Sequence, residues 1–354
     1  MITLGIETSC DETALCILET KENEYKILGN IVLSQIDFHR EFGGVVPMLA
    51  KREHIKNLPI LYEKILKESE ISENKIDRIA VTQGPGLEPA LWTGILFAQE
   101  LGKRLNIPVI PINHMEGHIV ASLLSNSNSN KEFRSLKIAK FPSLAILISG
   151  GHTEIVKINK IGEYEKLGAT VDDAIGEAFD KVARMLGLPY PGGPEISKLA
   201  EEARRENRRE NNKKKIPNEI KLPRPMIHSK DLKFSFSGLK TAVLYTLKNI
   251  EKPSKNQIKE IAREFEDSVT EVLISKTRMA IEMYLPKTLI IGGGVIANRH
   301  IRKAFEELAN EYSIPLYLPV SGLSGDNALM IALSGSLKPS QRGESFRALG
   351  NLSL

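Results

Sequence analysis

Short apolar runs alternate with polar turns along the first third of the chain, and their spacing changes from strand type to helix type. Short apolar runs between turn signals predict buried strands, and apolar residues repeating every three or four positions predict helices. In chain order this predicts strands at 4–6, 14–18, 25–32, 79–81 and 109–110, and helices at 46–66, at 91–105 and from His114 onward. The predicted order is β-β-β-α-β-α-β-α.

A similar order of elements returns later in the chain. There the apolar spacing predicts strands at 144–148, 154–158, 164–169, 288–291 and 316–318, and helices at 172–186, 298–312 and 326–334. Because strand–turn–strand opens each part, we expect an α/β protein of two related lobes with a cleft between them. The expected lobes are residues 1–133 and 134–354, with a helical insertion at about 187–285 and the option that the last helix packs back on the first lobe.

Composition narrows the class of protein without identifying it. The 354 residues are 42% hydrophobic and 26% charged, which is typical of a soluble globular protein of two domains. No run approaches the ~20 apolar residues that span a membrane, and the chain opens without a signal-peptide pattern. Two closely spaced cysteines, Cys10 and Cys16, suit a reducing cytoplasm. A net charge of +4 permits a nucleic-acid partner but does not demand one.

Two histidines four residues apart, His114 and His118, fall on one face of a predicted helix. This spacing suits two imidazoles that share one metal ion, although an ordinary pair at a helix start has the same spacing. Glu116 stands two places after the first histidine, so the H-E-x-x-H pattern of a metallopeptidase is absent. Asp326 opens a later helix and is either its N-cap or a third metal ligand, since two histidines and one carboxylate leave positions for substrate.

Three glycine-rich turns are candidates for holding a nucleotide: residues 149–151, 190–194 and 292–294. Such turns expose backbone N–H groups to an anion, and each alone is also a common structural turn. The lysine of a P-loop and the G-x-G-x-x-G spacing are both absent. Together the three turns predict a nucleotide in the cleft, with Asp180 either on the ribose or in a surface ion pair.

Two polar stretches carry further expectations. Residues 125–130 alternate Ser and Asn, which predicts a mobile loop. Residues 204–215 are strongly basic and contain Arg204, Arg205, Arg208, Arg209, Lys213, Lys214 and Lys215. A run of this kind is either a solvated helix end or a contact for a phosphate backbone.

Six separated motifs occur in an order that resembles one family. They are ETSCDET (7–13), HMEGH (114–118), SGGHT (149–153), DAIGEAFDK (173–181), FSGLKT (236–241) and GGGV (292–295) with Asn298. The chain is similar, from about residue 2 to residue 337, to the tRNA threonylcarbamoyladenosine-forming transferases, the TsaD (Gcp/YgjD) family, of bacterial type. The resemblance implies the two-lobed actin/sugar-kinase/Hsp70-like fold with duplicated ribonuclease-H-like lobes, in agreement with the repeated order.

The resemblance also implies an activity and a site. The family transfers threonylcarbamoyl from threonylcarbamoyl-AMP to N6 of the adenosine 3′ of the anticodon, in tRNAs reading codons that begin with A. One Fe(II) or Zn ion per subunit would be held by His114, His118 and Asp326. The implied adenylate contacts are Leu147, Ile148, Ser149, Gly150, Gly151, Asp180, Gly193 and Asn298. The implied partners are tRNA, a paralogous TsaB-like subunit and a TsaE-like ATPase, with a separate synthase supplying the adenylate and no membrane.

The expected chemistry is attack of the adenosine amine on a metal-polarised carbonyl, with AMP leaving. No side chain is an obvious general base. Asp11 and Glu12 are the candidates, with plain turn chemistry as the alternative. Two rival functions are a metallopeptidase, disfavoured because no Glu directly follows His114, and an ATP-binding scaffold of the Hsp70 or actin kind, which needs only Mg²⁺ with nucleotide. The tail after residue 337 matches no motif.

Overall fold

The structure is a computed structural model that describes residues 1–22, 24–124, 133–137, 139–210, 220–250, 252–339 and 346–354. The chain forms two compact units: unit 1 is Met1–Ala139 together with Leu318–Leu354, and unit 2 is Lys140–Tyr317. The chain therefore leaves unit 1 and later returns to complete it. The loop predicted at 125–130 lies outside the described residues.

The described strands and helices are as follows. The strands are β1 (Ile2–Glu7), β2 (Glu12–Lys21), β3 (Glu24–Ser34), β4 (Arg78–Gly84), β5 (Val109–Asn113), β6 (Arg134–Ser135), β7 (Ser143–Ile148), β8 (Thr153–Lys160), β9 (Glu163–Ala169), β10 (Thr288–Gly292) and β11 (Leu316–Tyr317). The α-helices are α1 (Ile36–His39), α2 (Pro47–Ser69), α3 (Glu88–Leu105), α4 (His114–Ala121), α5 (Ile175–Met185), α6 (Gly192–Glu210), α7 (Ser237–Ile250), α8 (Lys255–Tyr284), α9 (Arg299–Glu311) and α10 (Ala328–Leu337). Short 3-10 helices span Arg40–Phe42, Glu73–Lys75 and Gly294–Ala297. No helix in these ranges is both long and apolar enough to cross a membrane.

Unit 1 is built on a six-stranded sheet in the order β5-β4-β1-β2-β3-β6. β1, β2 and β3 form an antiparallel meander, and β4 and β5 add in parallel on the other side of β1. Side chains alternate across β2: Leu15 and Ile17 pack with α2 and α3, whereas Ala14, Cys16 and Leu18 pack with α4 and α10. Both faces of the sheet are thus covered, which is why these strands read as nearly continuous apolar runs.

Helix α10 lies very close to the sheet because the contact positions carry little or no side chain. A Cβ added at Gly5 in β1 would overlap the carbonyl oxygen of Ala328, and one at Gly335 in α10 would overlap Ala80 in β4. The first eight residues of the helix are all buried. This close approach fixes the position of the helix start, and with it that of Asp326, two residues earlier.

Unit 2 repeats the strand order of unit 1, and this confirms the predicted duplication. Its sheet runs β11-β10-β7-β8-β9, with an antiparallel β7-β8-β9 meander and β10 and β11 added in parallel beside β7. The long helix α8 packs against α6, α7 and α9. Helices α6, α7 and α8 fall within residues 187–285.

The predicted elements differ from the observed ones by at most three residues at either end, and α1 and β6 were not predicted. The division of the chain differs more. The expected lobes were 1–133 and 134–354, with the option that the last helix packs back on the first lobe. Residues 318–354 do belong to unit 1, and that unit also extends to Ala139. The physical reason is the packing of α10 against β1, β2 and β4.

We expect Gly5→Ala to destabilise unit 1 by about 1–3 kcal/mol, because the added methyl would force α10 away from the sheet. Gly325→Ala is the matched control, since it adds the same methyl in the same unit at a position with no described atom within 4 Å. Urea unfolding can be followed by the fluorescence of Trp92, the only tryptophan in the sequence, which lies on α3 of unit 1. Equal midpoints for the two variants would contradict the close packing.

Candidate functional site

Strand β5 and helix α4 present the two histidines. The side-chain oxygen of Asn113 accepts hydrogen bonds from the backbone N–H of Met115 at 2.8 Å and of Glu116 at 3.3 Å, and so caps α4. The helix begins at His114, and His118 follows one turn later on the same face. All residues of α4 are buried, and the two imidazole rings meet edge-on with centroids 4.7 Å apart.

Asp326 joins the histidines from the opposite end of the unit 1 sequence. Its Oδ1 lies 3.3 Å from His114 Nε2 and 3.2 Å from His118 Nε2. The N-cap of α10 is Asn327, whose side chain accepts from the Met330 N–H at 3.2 Å. Of the two roles predicted for Asp326, that of N-cap is therefore taken by its neighbour, and the Asp326 carboxylate faces the histidines.

A buried carboxylate, Glu7, orients His114. Its Oε2 accepts from His114 Nδ1 at 3.1 Å, and its two oxygens also accept from the Ser9 backbone N–H and the Thr82 hydroxyl. Burial would raise the pKa of Glu7, but the charge of His114 and its hydrogen bond outweigh burial and leave that pKa lowered. With Nδ1–H bound to Glu7, Nε2 of His114 faces Asp326, as in the carboxylate–histidine pairs that orient metal ligands.

Charges within the cluster keep Asp326 ionised. Burial opposes ionisation, yet His114 and His118 hold the pKa of Asp326 far below its usual range. Burial would lower the pKa of His114, but Asp326 and Glu7 raise it well above its usual range. Without metal the cluster is thus an ion pair, and metal binding requires His114 to release a proton.

The donor atoms fit a divalent metal ion. Two ligands each about 2.1 Å from one ion lie about 3.0–3.4 Å apart at bond angles between 90° and tetrahedral. The N–O separations of 3.2 and 3.3 Å fall in this range, and the three ligand atoms all lie within 4.8 Å of one another. His118 Nε2 is buried and makes no well-formed hydrogen bond to any described residue. Metal ligation would satisfy this atom.

The predicted catalytic carboxylates, Asp11 and Glu12, also belong to unit 1, at the turn from β1 into β2. Burial raises the pKa of Glu12 well above its usual range, and the negative charges of Asp11 and Asp326 raise it further. Glu12 Oε1 accepts from the Ser34 hydroxyl at 3.3 Å. Burial likewise raises the pKa of Cys10, so its thiol stays protonated.

A cavity of about 650 Å³ lies within unit 2, a size usual for small-molecule sites. Four of the predicted adenylate contacts line it, namely Gly150, Asp180, Gly193 and Asn298. The side chains of Leu147 and Ile148 are instead buried in β7. Ser149 and Gly151 lie beside Gly150 in the turn between β7 and β8, and the Cβ positions of both glycines are open.

The triple glycine after β10 brings its backbone to the same cavity. Gly293 has φ +95°, which favours glycine, and a Cβ there would overlap the carbonyl oxygen of Ile148. Gly294 lines the cavity and has no described atom within 4 Å of its Cβ position. A 3-10 turn separates these glycines from α9, whose first turn is capped by Asn298 Oδ1 accepting from the Ile301 N–H at 3.0 Å. The glycines are thus not joined directly to the helix.

Glu266, a buried acid, connects by hydrogen bonds several residues that line one side of this cavity. Glu266 is 1% exposed and accepts from Asn298 Nδ2 at 2.6 Å and from the Ser197 hydroxyl at 2.8 Å. Arg204 binds its other oxygen and also pairs with Asp267. The Asn298 amide is therefore already engaged at both ends, so its part in the cavity is to hold the wall together.

The predicted basic run divides into residues with different surroundings. Arg204 is bound by the two acids of α8 and only 17% exposed, so it is not available to contact phosphate. Arg205 pairs with Glu201 one turn earlier, whereas Arg208 is exposed and lines the cavity. The side chain of Arg209, and Lys213, Lys214 and Lys215, lie outside the described residues.

Comparison with known proteins decides the family. The family model for tRNA N6-adenosine threonylcarbamoyltransferase, TsaD, matches residues 26–333. A protein of that name from Thermosipho africanus is 45% identical over 335 residues, covering 95% of this chain and 93% of its own. Another, from Nitrosomonas europaea, is 42% identical over 354 residues, covering 100% of this chain and 97% of its own. The chain belongs to the TsaD family.

A solved structure agrees on the fold of this TsaD family member. Component A of the Acidaminococcus fermentans (R)-2-hydroxyglutaryl-CoA dehydratase matches with a TM-score of 0.50 and 12% identity, covering 94% of this chain and 95% of that chain. At such identity the likeness concerns the fold alone. The predicted two-lobed actin/sugar-kinase/Hsp70-like fold is confirmed.

Sequence reasoning missed two acids, Glu7 and Glu266, that organise the two candidate sites. Glu7 stood in a recognised motif, but as one of several polar turn residues. Its position at the end of a buried strand was the available signal, because a carboxylate there needs a buried partner. Glu266 gave no signal, since an acid within a long helix usually lies on a solvated face.

We expect Glu7→Gln to weaken metal binding about 10–100-fold, because a neutral amide binds the Nδ1–H of His114 less strongly than a carboxylate does. Competition between the protein and a chromophoric chelator for Zn²⁺ measures this. His118→Ala, which removes a ligand, should lose the metal while staying folded. Glu73→Gln, which alters a surface pair with Arg104 in the same unit, is the control and should bind normally. Unchanged affinity in Glu7→Gln would refute the orienting role.

We expect Gly294→Val to weaken AMP binding at least tenfold, because the new side chain would occupy the cavity. Gly238→Val adds the same side chain in unit 2, where the surroundings are open and no cavity is lined. Calorimetric titration of both variants with AMP distinguishes them. Equal affinities would remove the cavity from consideration as the nucleotide site.

Proposed function

We propose that this chain transfers the threonylcarbamoyl group of threonylcarbamoyl-AMP to N6 of the adenosine 3′ of the anticodon, in tRNAs that read codons beginning with A. Membership of the TsaD family supports the reaction. The single observation that carries the assignment of the site is the meeting of two imidazole Nε2 atoms and one carboxylate oxygen within 4.8 Å in unit 1.

The ion proposed for this site is Fe²⁺, with Zn²⁺ as the alternative. Two histidines and one carboxylate are the donor set typical of mononuclear iron sites, and zinc accepts the same ligands. When bound, such an ion supplies a Lewis acid that polarises a carbonyl oxygen. His114, His118 and Asp326 would hold it, and Glu7 would keep the His114 ring in place.

Asp11 and Glu12, in the turn from β1 into β2, are proposed to have different roles in proton transfer. Attack by N6 on the carbamoyl carbon forms a C–N bond, the C–O bond to phosphate breaks, AMP leaves with the electron pair, and N6 loses a proton. Because burial raises the pKa of Glu12 and so favours its protonated form, the group proposed to accept that proton is Asp11. Glu12 would act as a hydrogen-bond donor to the carbonyl oxygen.

The adenylate is proposed to bind in the unit 2 cavity. Gly150, Gly193 and Gly294 let its walls approach a ligand closely, and Asp180, which also lines the cavity, would accept a hydrogen bond from a ribose hydroxyl. Asp180 Oδ1 already accepts from the Gly192 N–H at 2.7 Å, which fixes the carboxylate. Positioning of this kind is the main contribution required, because the substrate is already activated.

The proposed partners follow from chemistry and from exposed surface. Phosphate contacts to tRNA would come from Arg208 and other exposed basic side chains rather than from Arg204. A TsaB-like subunit, working with a TsaE-like ATPase, fits the apolar side chains exposed on α2 and α3, including Met48, Ile55, Trp92 and Leu96. A separate synthase would supply the adenylate. The proposed location is the cytoplasm, which two free cysteines support.

The rival functions have less support. A metallopeptidase of the H-E-x-x-H kind uses a glutamate to activate water, but here Glu116 is buried and paired with Lys338 at 2.7 Å. An ATP-binding scaffold would not require two histidines and an aspartate to meet. Family membership favours the transferase over both.

The test is formation of modified adenosine from synthetic threonylcarbamoyl-AMP and a tRNA transcript, measured by mass spectrometry of digested tRNA. The reaction is run with Fe²⁺ or Zn²⁺, with and without the two partner proteins. We expect Asp326→Asn to lower the rate at least a hundredfold, because the amide is a poor metal ligand. Asp37→Asn, at an exposed surface pair, is the control. Modification by Asp326→Asn at the wild-type rate, or none by the wild type under any of these conditions, would overturn the proposal.

A further inference from the structure

A hydrogen-bonded series of buried polar side chains packs against the turn from β1 into β2. This turn, which carries Asp11 and Glu12, is called the acidic turn below. His39, His54, Gln35 and Thr13 are each at most 1% exposed. His39 Nε2 lies 3.3 Å from Gln35 Oε1, Gln35 Nε2 lies 3.2 Å from His54 Nδ1, and His54 Nε2 lies 3.1 Å from the carbonyl oxygen of Cys10. None of these four side chains has a role in the reaction described above.

The chemistry of its ends fixes the direction of every hydrogen bond in this series. The Cys10 carbonyl can only accept, so His54 Nε2 carries a proton and donates. At the other end Val46 donates its N–H to His39 Nδ1 at 3.3 Å, so His39 Nε2 carries the proton given to Gln35. Both imidazoles are then neutral, and in agreement burial lowers the pKa of each.

The remaining atoms accept or donate consistently with this direction. Gln35 Nε2 also donates to the Ala50 carbonyl at 3.4 Å, which sets the amide with its nitrogen towards His54. His54 Nδ1 thus acts as an acceptor, and Thr13 donates its hydroxyl to it at 2.8 Å. The His54 ring is therefore held in one tautomer and one orientation.

These side chains contact the acidic turn at two consecutive backbone carbonyls. His54 Nε2 donates to the Cys10 carbonyl, and the backbone N–H of Gln35 donates to the Asp11 carbonyl at 2.8 Å. These two peptide groups flank the Asp11 Cα and lead directly into Glu12. The backbone that carries both carboxylates is thus held by His54 of α2 and by Gln35, the residue before α1.

We propose that His54 is a positioning residue for the transfer reaction, whose Nε2–H holds the Cys10 carbonyl and thereby sets the placement of Asp11 and Glu12. This inference rests on the proposed function, in which those two carboxylates handle the proton. A residue needed only to fill the core would not have to donate at Nε2, so the donor is the feature to test.

Two substitutions of His54 separate the donor from the acceptor. In His54→Gln the side-chain nitrogen can take the place of Nε2 and donate to Cys10. In His54→Asn the side-chain oxygen can take the place of Nδ1 and accept from Thr13, but no donor reaches Cys10. We expect His54→Gln to keep kcat within about threefold of wild type and His54→Asn to lose about 10–100-fold.

Further measurements distinguish positioning from general damage. KM for threonylcarbamoyl-AMP and bound metal should be unchanged in both variants, because those sites are built from other residues. Thr13→Val, which keeps the side-chain shape but removes the donor to Nδ1, should lower kcat severalfold without changing KM. If His54→Asn does not fold, the position of the His54 proton in the wild type becomes the deciding measurement. Equal kcat in wild type and His54→Asn would overturn the proposal, as would losses of the same size in His54→Gln and His54→Asn.

The tautomer provides a readout that does not depend on activity. In protein labelled with ¹⁵N-histidine, two-bond proton–nitrogen correlations should place the His54 proton on Nε2. A proton on Nδ1 would overturn the proposal whether or not the enzyme is active. An inactive wild type with the proton on Nε2 would count against the proposed function and leave the hydrogen-bonded series intact.

Discussion

The packing of α10 against the unit 1 sheet is the contact on which the His114–His118–Asp326 cluster depends. Gly5 and Gly335 remove the side chains that would otherwise separate helix from sheet, and the start of the helix is set by this approach. Asp326 is two residues from that start, and its distances to both histidines follow from it. A ligand set built from separate chain segments can be held to a few tenths of an ångström only if the supporting elements are rigid.

The same cluster concentrates negative charge in the interior of unit 1. Glu7, Asp326, Asp11 and Glu12 are near enough that their charges act on one another's ionisation or on that of His114. A protein meets such a charge density by protonating one member, by pairing with imidazolium or by binding a cation. The cluster has features of all three responses: the pKa of Glu12 is raised, His114 pairs with Glu7 and Asp326, and the three clustered ligand atoms suit a divalent ion.

Local signals in the sequence were enough to predict most elements, and resemblance supplied much of the candidate site. The apolar spacing of 46–66 and 91–105 gave two helices to within three residues, because a one-sided helix has a period that can be read directly. The four-residue spacing of His114 and His118 predicted, for the same reason, that both side chains lie on one face of a helix. The N-cap of α10 was ambiguous between Asp326 and Asn327, since both side chains can cap a helix.

What could not be predicted depends on contacts between distant segments. The roles of Glu7, His54, Gln35 and Glu266 are each defined by partners far along the chain, and a buried polar side chain looks the same in sequence as a solvated one. Arg204 illustrates the opposite error, since a basic residue in a charged run is held by two acids of another helix. The return of the last helix to the first lobe was predicted only as an option, because only tertiary packing joins residues 318–354 to unit 1.

The return of the chain to unit 1 has a consequence for its biosynthesis. Translation produces all of unit 2 before residue 318 is made. The face of β2 formed by Ala14, Cys16 and Leu18 is therefore made long before α10, the helix that covers it. The sequence up to residue 317 contains His114 and His118 but neither Asp326 nor the helix that covers this face. The His114–His118–Asp326 cluster can therefore form only after residues 318–337 have been made, although two of its members lie in the first third of the sequence.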